Sequence, residues 1–300
     1  MTLNTPSDLR GVLTALSTPF DADENIDIDL LKKVVDRSID NGVDGVVAGG
    51  STGEFAMMST EERLLLVDTV TEHTAGRVPV IAQTGATTTG QAIRFSKAAE
   101  KSGADVLMLV TPYYEPLTLT ETLDYIREVA SSVEIPVMLY NIPGATGVNL
   151  SADDAGALAD EFENIRYIKD SSANWEQALQ LIHHHGDRLG TFIGWDSYIY
   201  SALLEGAAGV MAGAANVVPS EIVEVVRLIN AGDAAAALDA WKRVYPVIDT
   251  MITQDSFISA VKAGLRHQGL PVGSPRRPMA DVPTEADAAI GEAIARLADA

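Results

Sequence analysis

The stretch KSGADVLMLVTPYY, residues 101–114, decides the fold class of this 300-residue chain. It passes from the end of a helical segment, through a glycine and a small residue, into an apolar run that ends in polar and aromatic residues. The same junction recurs in NGVDGVV (41–47) and GAAGVMA (206–212). Apolar strands that follow helices at repeated junctions are typical of a parallel sheet covered by helices on both faces.

Eight apolar runs of this kind are predicted to be strands, beginning at Val12, Asp44, Val78, Asp105, Ile135, Ile165, Leu189 and Gly209. Stretches with apolar residues at helical spacing separate them. Eight such units predict an α/β protein with a closed (β/α)8 TIM barrel over residues 1–230, since this fold takes about 250 residues. Residues 231–300 are predicted to be a C-terminal helical extension packed on the same domain. An open doubly wound sheet is the competing fold.

Composition and charge exclude several classes of protein. The formal net charge is −21 and the pI is about 4.4, so the overall field repels nucleic-acid backbones and anionic membranes. The chain has no cysteine, which rules out disulfides, thiolate metal sites and a cysteine nucleophile. We see neither a signal peptide nor a membrane-spanning apolar run, and therefore expect a cytoplasmic protein.

A lysine stands at the predicted carboxyl end of the sixth strand, in YIKDSS (167–172). Barrels of this kind carry their catalytic groups at these strand ends, and Lys169 is the only lysine among them. Lysine is almost never fully buried unless it is paired or has a function, and burial favours the neutral amine, which attacks carbonyls. The pattern indicates a Schiff-base lysine. An ion pair with Asp170 and a side chain that snorkels to solvent are the structural alternatives.

Phenols and hydroxyls end other strands. Tyr140 ends the fifth strand and Tyr114 the fourth, and a phenol can relay protons when a hydroxyl partner holds it. Ser51 and Thr52, in GGSTGE (49–54), supply such hydroxyls. The flanking glycines let backbone N–H groups approach an anion such as a carboxylate.

Together, these motifs resemble the dihydrodipicolinate synthase and N-acetylneuraminate lyase family. The resemblance rests on GGSTGE, TPYY (111–114), YNIPGATG (140–147) and YIKDSS, which agree with the family in order and spacing. It implies a class I pyruvate-dependent lyase or aldolase on a (β/α)8 barrel. It also implies pyruvate and an aldehyde as partners, a homo-oligomer (tetramer or dimer), and neither a metal nor another cofactor beyond the covalent Schiff base.

The resemblance assigns roles residue by residue. Lys169 matches the Schiff-base lysine, and Tyr140 matches the tyrosine that moves protons at the reacting centre. Ser51 and Thr52 match the pair that holds the pyruvate carboxylate and links the proton relay. Tyr114 matches a tyrosine lent across a subunit interface. The further residues expected to contact substrate are Gly53, Ser171, Gly194, Asp196 and Met211.

One position departs from the synthases, which typically read Y-N-x-P-x-R-T-G with an arginine that grips the carboxylate of aspartate semialdehyde. Here the residue is Ala145, and a methyl group cannot replace a guanidinium fork. GWDS (194–197) resembles the stretch with which the lyases bind a polyhydroxylated chain. We therefore predict a Schiff-base-forming, pyruvate-dependent lyase or aldolase that cleaves, or condenses pyruvate to form, a 2-keto-3-deoxy sugar acid or a related 2-oxo acid. The alternatives are 4-hydroxy-tetrahydrodipicolinate (dihydrodipicolinate) synthase and a 2-keto-3-deoxy sugar acid dehydratase.

Two hypotheses come from other classes. Residues 49–53 also spell G-x-S-x-G, the nucleophile elbow of serine hydrolases, but that elbow runs directly into a helix. Here a capping-box pattern at Ser59 and Glu62 places the helix start several residues later, and the histidines lie on predicted helices. A non-catalytic paralogue that binds a 2-oxo acid is the other hypothesis, and the joint presence of Lys169, Tyr140, Ser51 and Tyr114 argues against it.

Overall fold

The architecture is a closed barrel of eight parallel strands, seen in a computed structural model that describes residues 9–115 and 117–299. The strands pair in chain order, and the eighth pairs with the first through Gly11↔Gly209 to Thr14↔Ala212. The predicted (β/α)8 barrel is confirmed, and closure between the first and last strands excludes the open doubly wound sheet.

The strands are β1 Gly11–Ala15, β2 Gly45–Ala48, β3 Val80–Gln83, β4 Val106–Val110, β5 Val137–Asn141, β6 Ile165–Asp170, β7 Gly190–Ile193 and β8 Gly209–Ala212. The helices are α1 Ile28–Asp40, α2 Thr60–Thr74, α3 Thr89–Ser102, α4 Leu119–Ala130, α5 Pro143–Thr146, α6 Ala152–Glu161, α7 Trp175–His185, α8 Ile199–Leu204, α9 Pro219–Asn230, α10 Ala234–Ile252, α11 Phe257–His267 and α12 Thr284–Ala298.

The first strand is shorter than its apolar pattern suggests. The run predicted from Val12 to Phe20 leaves the sheet after Ala15, because the N–H of Ser17 donates to Asn216 Oδ1 at 2.9 Å. The amide of Asn216 also donates to the carbonyl of Ala15. A side chain that follows β8 therefore ends β1.

Two apolar layers make up the core. One fills the barrel interior and the other lies between the strands and the surrounding helices. Since side chains alternate along a strand, β6 places Tyr167 in the interior layer and Ile168 in the outer one. The same alternation turns Lys169 inward and Asp170 outward.

The C-terminal extension reaches the carboxyl face of the barrel. Helix α10 packs on α9, while α11 leads into a segment in which Arg276 forms an ion pair with Glu62 of α2. The N–H of Arg276 also donates to Glu54 Oε2 at 2.8 Å. The extension thus contributes to the barrel mouth. In the described parts of the chain, no helix is long and apolar enough to cross a membrane.

Candidate active site

Lys169 lies at the end of β6 inside the barrel mouth, where its side chain is only 4% exposed. Its Nζ lies 4.2 Å from the centroid of the Tyr140 ring, a distance at which an ammonium is attracted to the π face. Within the described residues, Nζ has no hydrogen-bonding or ion-pair partner. A buried amine that no carboxylate engages is free to attack a substrate carbonyl that enters the barrel mouth.

The end of β7 has a glycine that makes room for this lysine. A Cβ at Gly194 would lie 2.5 Å from Lys169 Cε and 2.1 Å from Ser171 Oγ. Both distances are far below van der Waals contact. Gly194 therefore permits the lysine stem to lie against β7 and aim its amine at the barrel axis.

Asp170 does not pair with Lys169, so that alternative interpretation of YIKDSS is wrong. The carboxylate points outward, where Oδ1 accepts from Asn141 Nδ2 at 3.0 Å and from Gln177 Nε2 at 3.3 Å. Its Oδ2 accepts from the hydroxyl of Ser172. Burial is the largest influence on Asp170 and raises the pKa of its carboxyl above the usual value. This network fixes the outer face of β6 and leaves the inner face to Lys169.

Tyr140 and Lys169 are neighbours because of strand register. β5 and β6 pair Tyr140 directly with Lys169. The buried phenol of Tyr140 lies 3.2 Å from the hydroxyl of Ser51. The structure therefore brings together an amine, a phenol and a hydroxyl in the order that a proton relay requires.

The GGSTGE loop places hydrogen-bond donors beside Lys169 and Tyr140. Thr18 Oγ1 donates to the carbonyl of Gly53 at 2.8 Å, and a Cβ at Gly53 would lie 2.9 Å from the carbonyl oxygen of Leu16. Gly53 thus lets the loop lie close to the end of β1. The N–H groups of Ser51 and Thr52 have no acceptor within the described chain. Free N–H groups in a turn form a concave site that suits an anion such as a carboxylate.

A cavity of about 540 Å³, here called the lysine cavity, connects these groups. Eight of the residues singled out from the sequence line it: Ser51, Thr52, Tyr140, Lys169, Ser171, Gly194, Asp196 and Met211. Gly53 does not line this cavity and instead shapes the loop beside it. Residues predicted separately from the ends of different strands therefore lie around one cavity.

Tyr114 is not brought into the pocket of its own chain. Its side chain is 90% exposed, and its backbone φ of +84° is a left-handed conformation that L-residues rarely adopt. A strained loop tip that holds an aromatic ring in solvent is unusual for a monomer. The predicted role of Tyr114 across a subunit interface stays a prediction.

Asp196 and Ser171 add polar groups near the lysine. Asp196 is buried and accepts from the N–H of Ala214 at 2.8 Å. Burial raises the pKa of its carboxyl to about 6, although the hydrogen bond from Ala214 and the charge of Lys169 oppose the rise. Ser171 Oγ is buried without a partner within the described residues. A substrate hydroxyl beside Lys169 would find a donor and an acceptor here.

Several further lining residues were not among the predicted site residues, and apart from Asp255, Ser256 and Trp195, which lies in GWDS, their side chains give no chemical signal. They are Ile142, Trp195, Ile252, Asp255, Ser256, Phe257, Ile258, Gly213 and Met279. The ring of Phe257 approaches within 2.4 Å of the position that a Cβ of Gly213 would occupy, which itself lies 3.3 Å from Thr52 Oγ1. Phe257 can therefore lie beside Thr52 only because residue 213 is glycine. Nothing in the sequence of the C-terminal extension signals this contact.

The arrangement of side chains in the lysine cavity also tests the serine-hydrolase hypothesis. Ser51 contacts the phenol of Tyr140, and no histidine lines the lysine cavity, so the described residues do not form a Ser–His pair. The capping box of Ser59 and Glu62 begins α2 as the sequence predicts. Among residues 9–115 and 117–299, no group of three or more histidine or acidic side chains is arranged so that it could hold a metal ion.

Comparisons with known proteins show the family of this chain. The model of the dihydrodipicolinate synthetase family matches residues 8–297. The chain is 37% identical to the 4-hydroxy-tetrahydrodipicolinate synthase of Oceanobacillus iheyensis over 274 residues, which are 91% of this chain and 92% of that protein. Its similarity to the enzyme of the same name from Neisseria gonorrhoeae is 39% identity over 83% of this chain and 85% of the relative.

A solved structure shows the same similarity in three dimensions. YagE, a prophage protein of E. coli K12 in the dihydrodipicolinic acid synthase family, was solved in complex with pyruvate. It superposes with a TM-score of 0.92 and 29% identity, over 96% of this chain and 98% of that chain. The match therefore includes the barrel and the C-terminal extension alike.

Proposed function

Because this chain belongs to the dihydrodipicolinate synthetase family, we propose that Lys169 forms a Schiff base with the C2 ketone of pyruvate. The family consists of carbon–carbon lyases of the class I aldolase type, which need no external cofactor. One observation carries the assignment of Lys169. Its amine is buried and without a partner within the described residues, beside a phenol that contacts the Ser51 hydroxyl.

In the proposed reaction, the neutral amine of Lys169 attacks C2 of pyruvate, and water leaves to give an iminium. The iminium draws electrons from C3, which gives up a proton to solvent water and becomes an enamine carbon. This carbon attacks the aldehyde carbonyl, and Tyr140 gives its proton to the aldehyde oxygen as the new C–C bond forms. Hydrolysis of the iminium releases the 4-hydroxy-2-oxo acid and restores Lys169. Cleavage follows the same steps in reverse.

The loop around Ser51 supports this position for pyruvate, the substrate that supplies the attacking carbon. Its unused N–H groups at Ser51 and Thr52 would hold the pyruvate carboxylate, and Gly194 keeps the approach to Lys169 open. The Ser51 hydroxyl at 3.2 Å from the phenol would return a proton to Tyr140. These contacts orient C2 toward the amine and exclude the competing orientation in which the carboxylate points at Lys169.

The acceptor aldehyde is the second substrate of the proposed reaction. The names of the reported relatives favour 4-hydroxy-tetrahydrodipicolinate synthase, the alternative of the sequence analysis, over the sugar-acid aldolase. Ala145 argues against the synthase, since the pocket lacks the arginine that would bind a second carboxylate. Ser171 and Asp196 support a substrate hydroxyl at C4, which a sugar acid shares with every aldol product. The dehydratase would use the same iminium.

The assembly is also part of the proposal. We infer a homo-oligomer in which Tyr114 of one copy reaches the site of another, as the family resemblance implies. Its 90% exposure and left-handed backbone support this inference, because a lone chain gains nothing from that conformation. A cytoplasmic location stays a prediction.

Exchange of the pyruvate methyl hydrogens in D₂O tests the donor half of the reaction without any aldehyde. The enamine takes up deuterium from solvent, so the methyl signal in the proton NMR spectrum should decay with enzyme present. Lys169→Ala should abolish the decay. Lys242→Ala, at an exposed lysine of α10, should leave it unchanged. Equal exchange by the wild type and by Lys169→Ala would overturn the proposal.

A further inference from the structure

A second cavity adjoins the lysine cavity on the side of β5 and the GGSTGE loop. It has a volume of about 250 Å³ and is here called the side cavity. Both cavities are lined by Ser51, Ile142, Ile258 and Met279. These shared residues place the side cavity next to the reacting centre, where the chain of an aldehyde bound at Lys169 can extend.

The side cavity is almost wholly apolar. Carbon atoms make up nearly all of its exposed surface, although Glu54, Tyr113 and Thr146 line it together with Phe55, Ala56, Met57, Val110 and Ala145. Ala145 occupies the position where the resemblance would place an arginine. A polyhydroxylated chain in this space would lose its hydrogen bonds to water without replacing them, at a cost for each hydroxyl.

The charges around the two cavities disfavour an anionic acceptor. Lys169 is the only basic side chain among the described residues that line either cavity, and its nitrogen is neutral in the enamine that attacks the aldehyde. The other charged groups are acidic: Asp196, Asp255 and Glu54, of which Glu54 is paired with Lys262. A carboxylate on the acceptor would therefore find no cation beside the neutral enamine and would lie near acidic side chains.

Polar groups suited to substrate are concentrated beside Lys169. Ser171 Oγ is buried without a partner within the described residues, and Asp196 lies on the same side of the lysine cavity. Together they can bind the hydroxyl that forms from the aldehyde carbonyl. The pocket thus offers hydrogen bonds at the reacting carbon and apolar contacts along the shared wall.

From these contacts we propose that the acceptor is an uncharged aldehyde with an alkyl or aryl tail, and that the tail binds in the side cavity. The proposal rests on the proposed pyruvate chemistry and names the acceptor class for it. Apolar burial then sets the acceptor preference. Each additional methylene buried there should raise kcat/KM by about fourfold, the factor that corresponds to about 0.8 kcal/mol, until the cavity is full.

A matched pair of aldehydes tests the proposal. The two compounds 4-methylpentanal and 4-oxobutanoate are similar in shape but end in an isopropyl group and a carboxylate respectively. Pyruvate consumption and product mass are measured for both, and for aspartate semialdehyde and glyceraldehyde. We expect kcat/KM for 4-methylpentanal to exceed that for each of the other three at least tenfold. A preference for any of the three would overturn the proposal.

A substitution in the wall of the side cavity tests whether the aldehyde tail binds there. Ala145→Arg should shift the ratio of the two kcat/KM values toward 4-oxobutanoate at least tenfold, since it places a cation in the side cavity. Ala235→Arg adds the same charge at an exposed position of α10 and should leave the ratio unchanged. An unchanged ratio in Ala145→Arg, with the variant folded by circular dichroism, would show that the tail does not bind there.

Failure of this inference can be told apart from failure of the proposed function. Deuterium exchange into pyruvate reports the Schiff base alone. If exchange proceeds while only charged or hydroxylated aldehydes react, the Schiff base with pyruvate is supported and the proposed apolar acceptor class is wrong. Loss of exchange overturns both.

Discussion

Glu54 and Lys262 form an ion pair of 2.8 Å in which neither side chain is exposed to solvent. Glu54 ends the GGSTGE loop with a left-handed φ of +64°, and Lys262 lies on α11. Lys262 Nζ also donates to the carbonyl of Ser274 and lies 4.4 Å from the centroid of the Phe20 ring. The pair ties the loop that carries Ser51 and Thr52 to the C-terminal extension.

Removing one member of this pair should destabilise the fold strongly. Lys262→Met leaves the Glu54 carboxylate buried without a counter-ion, and we expect a loss of about 3–5 kcal/mol in the free energy of unfolding. Glu54→Gln with Lys262→Met should recover part of that loss, because no buried charge remains. Urea denaturation measures both, with the exposed Lys242→Met as control. A loss below 1 kcal/mol for Lys262→Met would mean that water reaches the pair.

Gly194→Ala should disable the amine while leaving the fold intact. Its Cβ would lie 2.5 Å from Lys169 Cε, so the lysine stem must move away from the Tyr140 ring. We expect pyruvate exchange to fall at least 10²-fold, since a misplacement of about 1 Å has that effect on catalysis. Gly144→Ala is the matched control, because no atom lies within 4 Å of its added Cβ. Equal rates in the two variants would refute this account of Gly194.

Tyr140→Phe should separate Schiff-base formation from C–C bond chemistry. The variant keeps the ring beneath Lys169 but loses the phenol that contacts Ser51 at 3.2 Å. Pyruvate should still form its adduct, whereas aldol turnover should drop about 10²–10⁴-fold, the usual contribution of a general acid–base group. Single-turnover kinetics distinguish the two steps. Unimpaired turnover would assign the proton transfer to another group.

Asp196 should make stability depend on pH. Burial raises the pKa of its carboxyl from 3.8 to about 6, so the folded protein holds this proton more tightly than the unfolded chain does. Its contribution to stability is therefore complete below pH 3.8 and is lost as the pH rises through about 6. Relative to Asp196→Asn, the wild type should lose about 2 kcal/mol of unfolding free energy between pH 4.5 and 7.5. A constant or rising difference would contradict the burial of this carboxyl.

The fold and half of the site could be predicted from the sequence for a physical reason. The repeated helix–glycine–strand junctions specify the barrel, and the barrel places every strand end at one face. Lys169 and Tyr140 meet there because alternation along β5 and β6 turns them inward and the strand register pairs them, while Ser51 reaches them from the loop that follows β2. Phe257 and Met279 could not be found this way. They reach the mouth through packing of the C-terminal extension, and their side chains have no chemistry that marks a site.

Reduction of the protein with borohydride in the presence of pyruvate, followed by intact mass and peptide analysis, shows whether Lys169 forms the Schiff base. We expect one reduced pyruvyl adduct, located on Lys169 and absent from Lys169→Ala. Absence of an adduct in the wild type, or an adduct on another lysine, would contradict it.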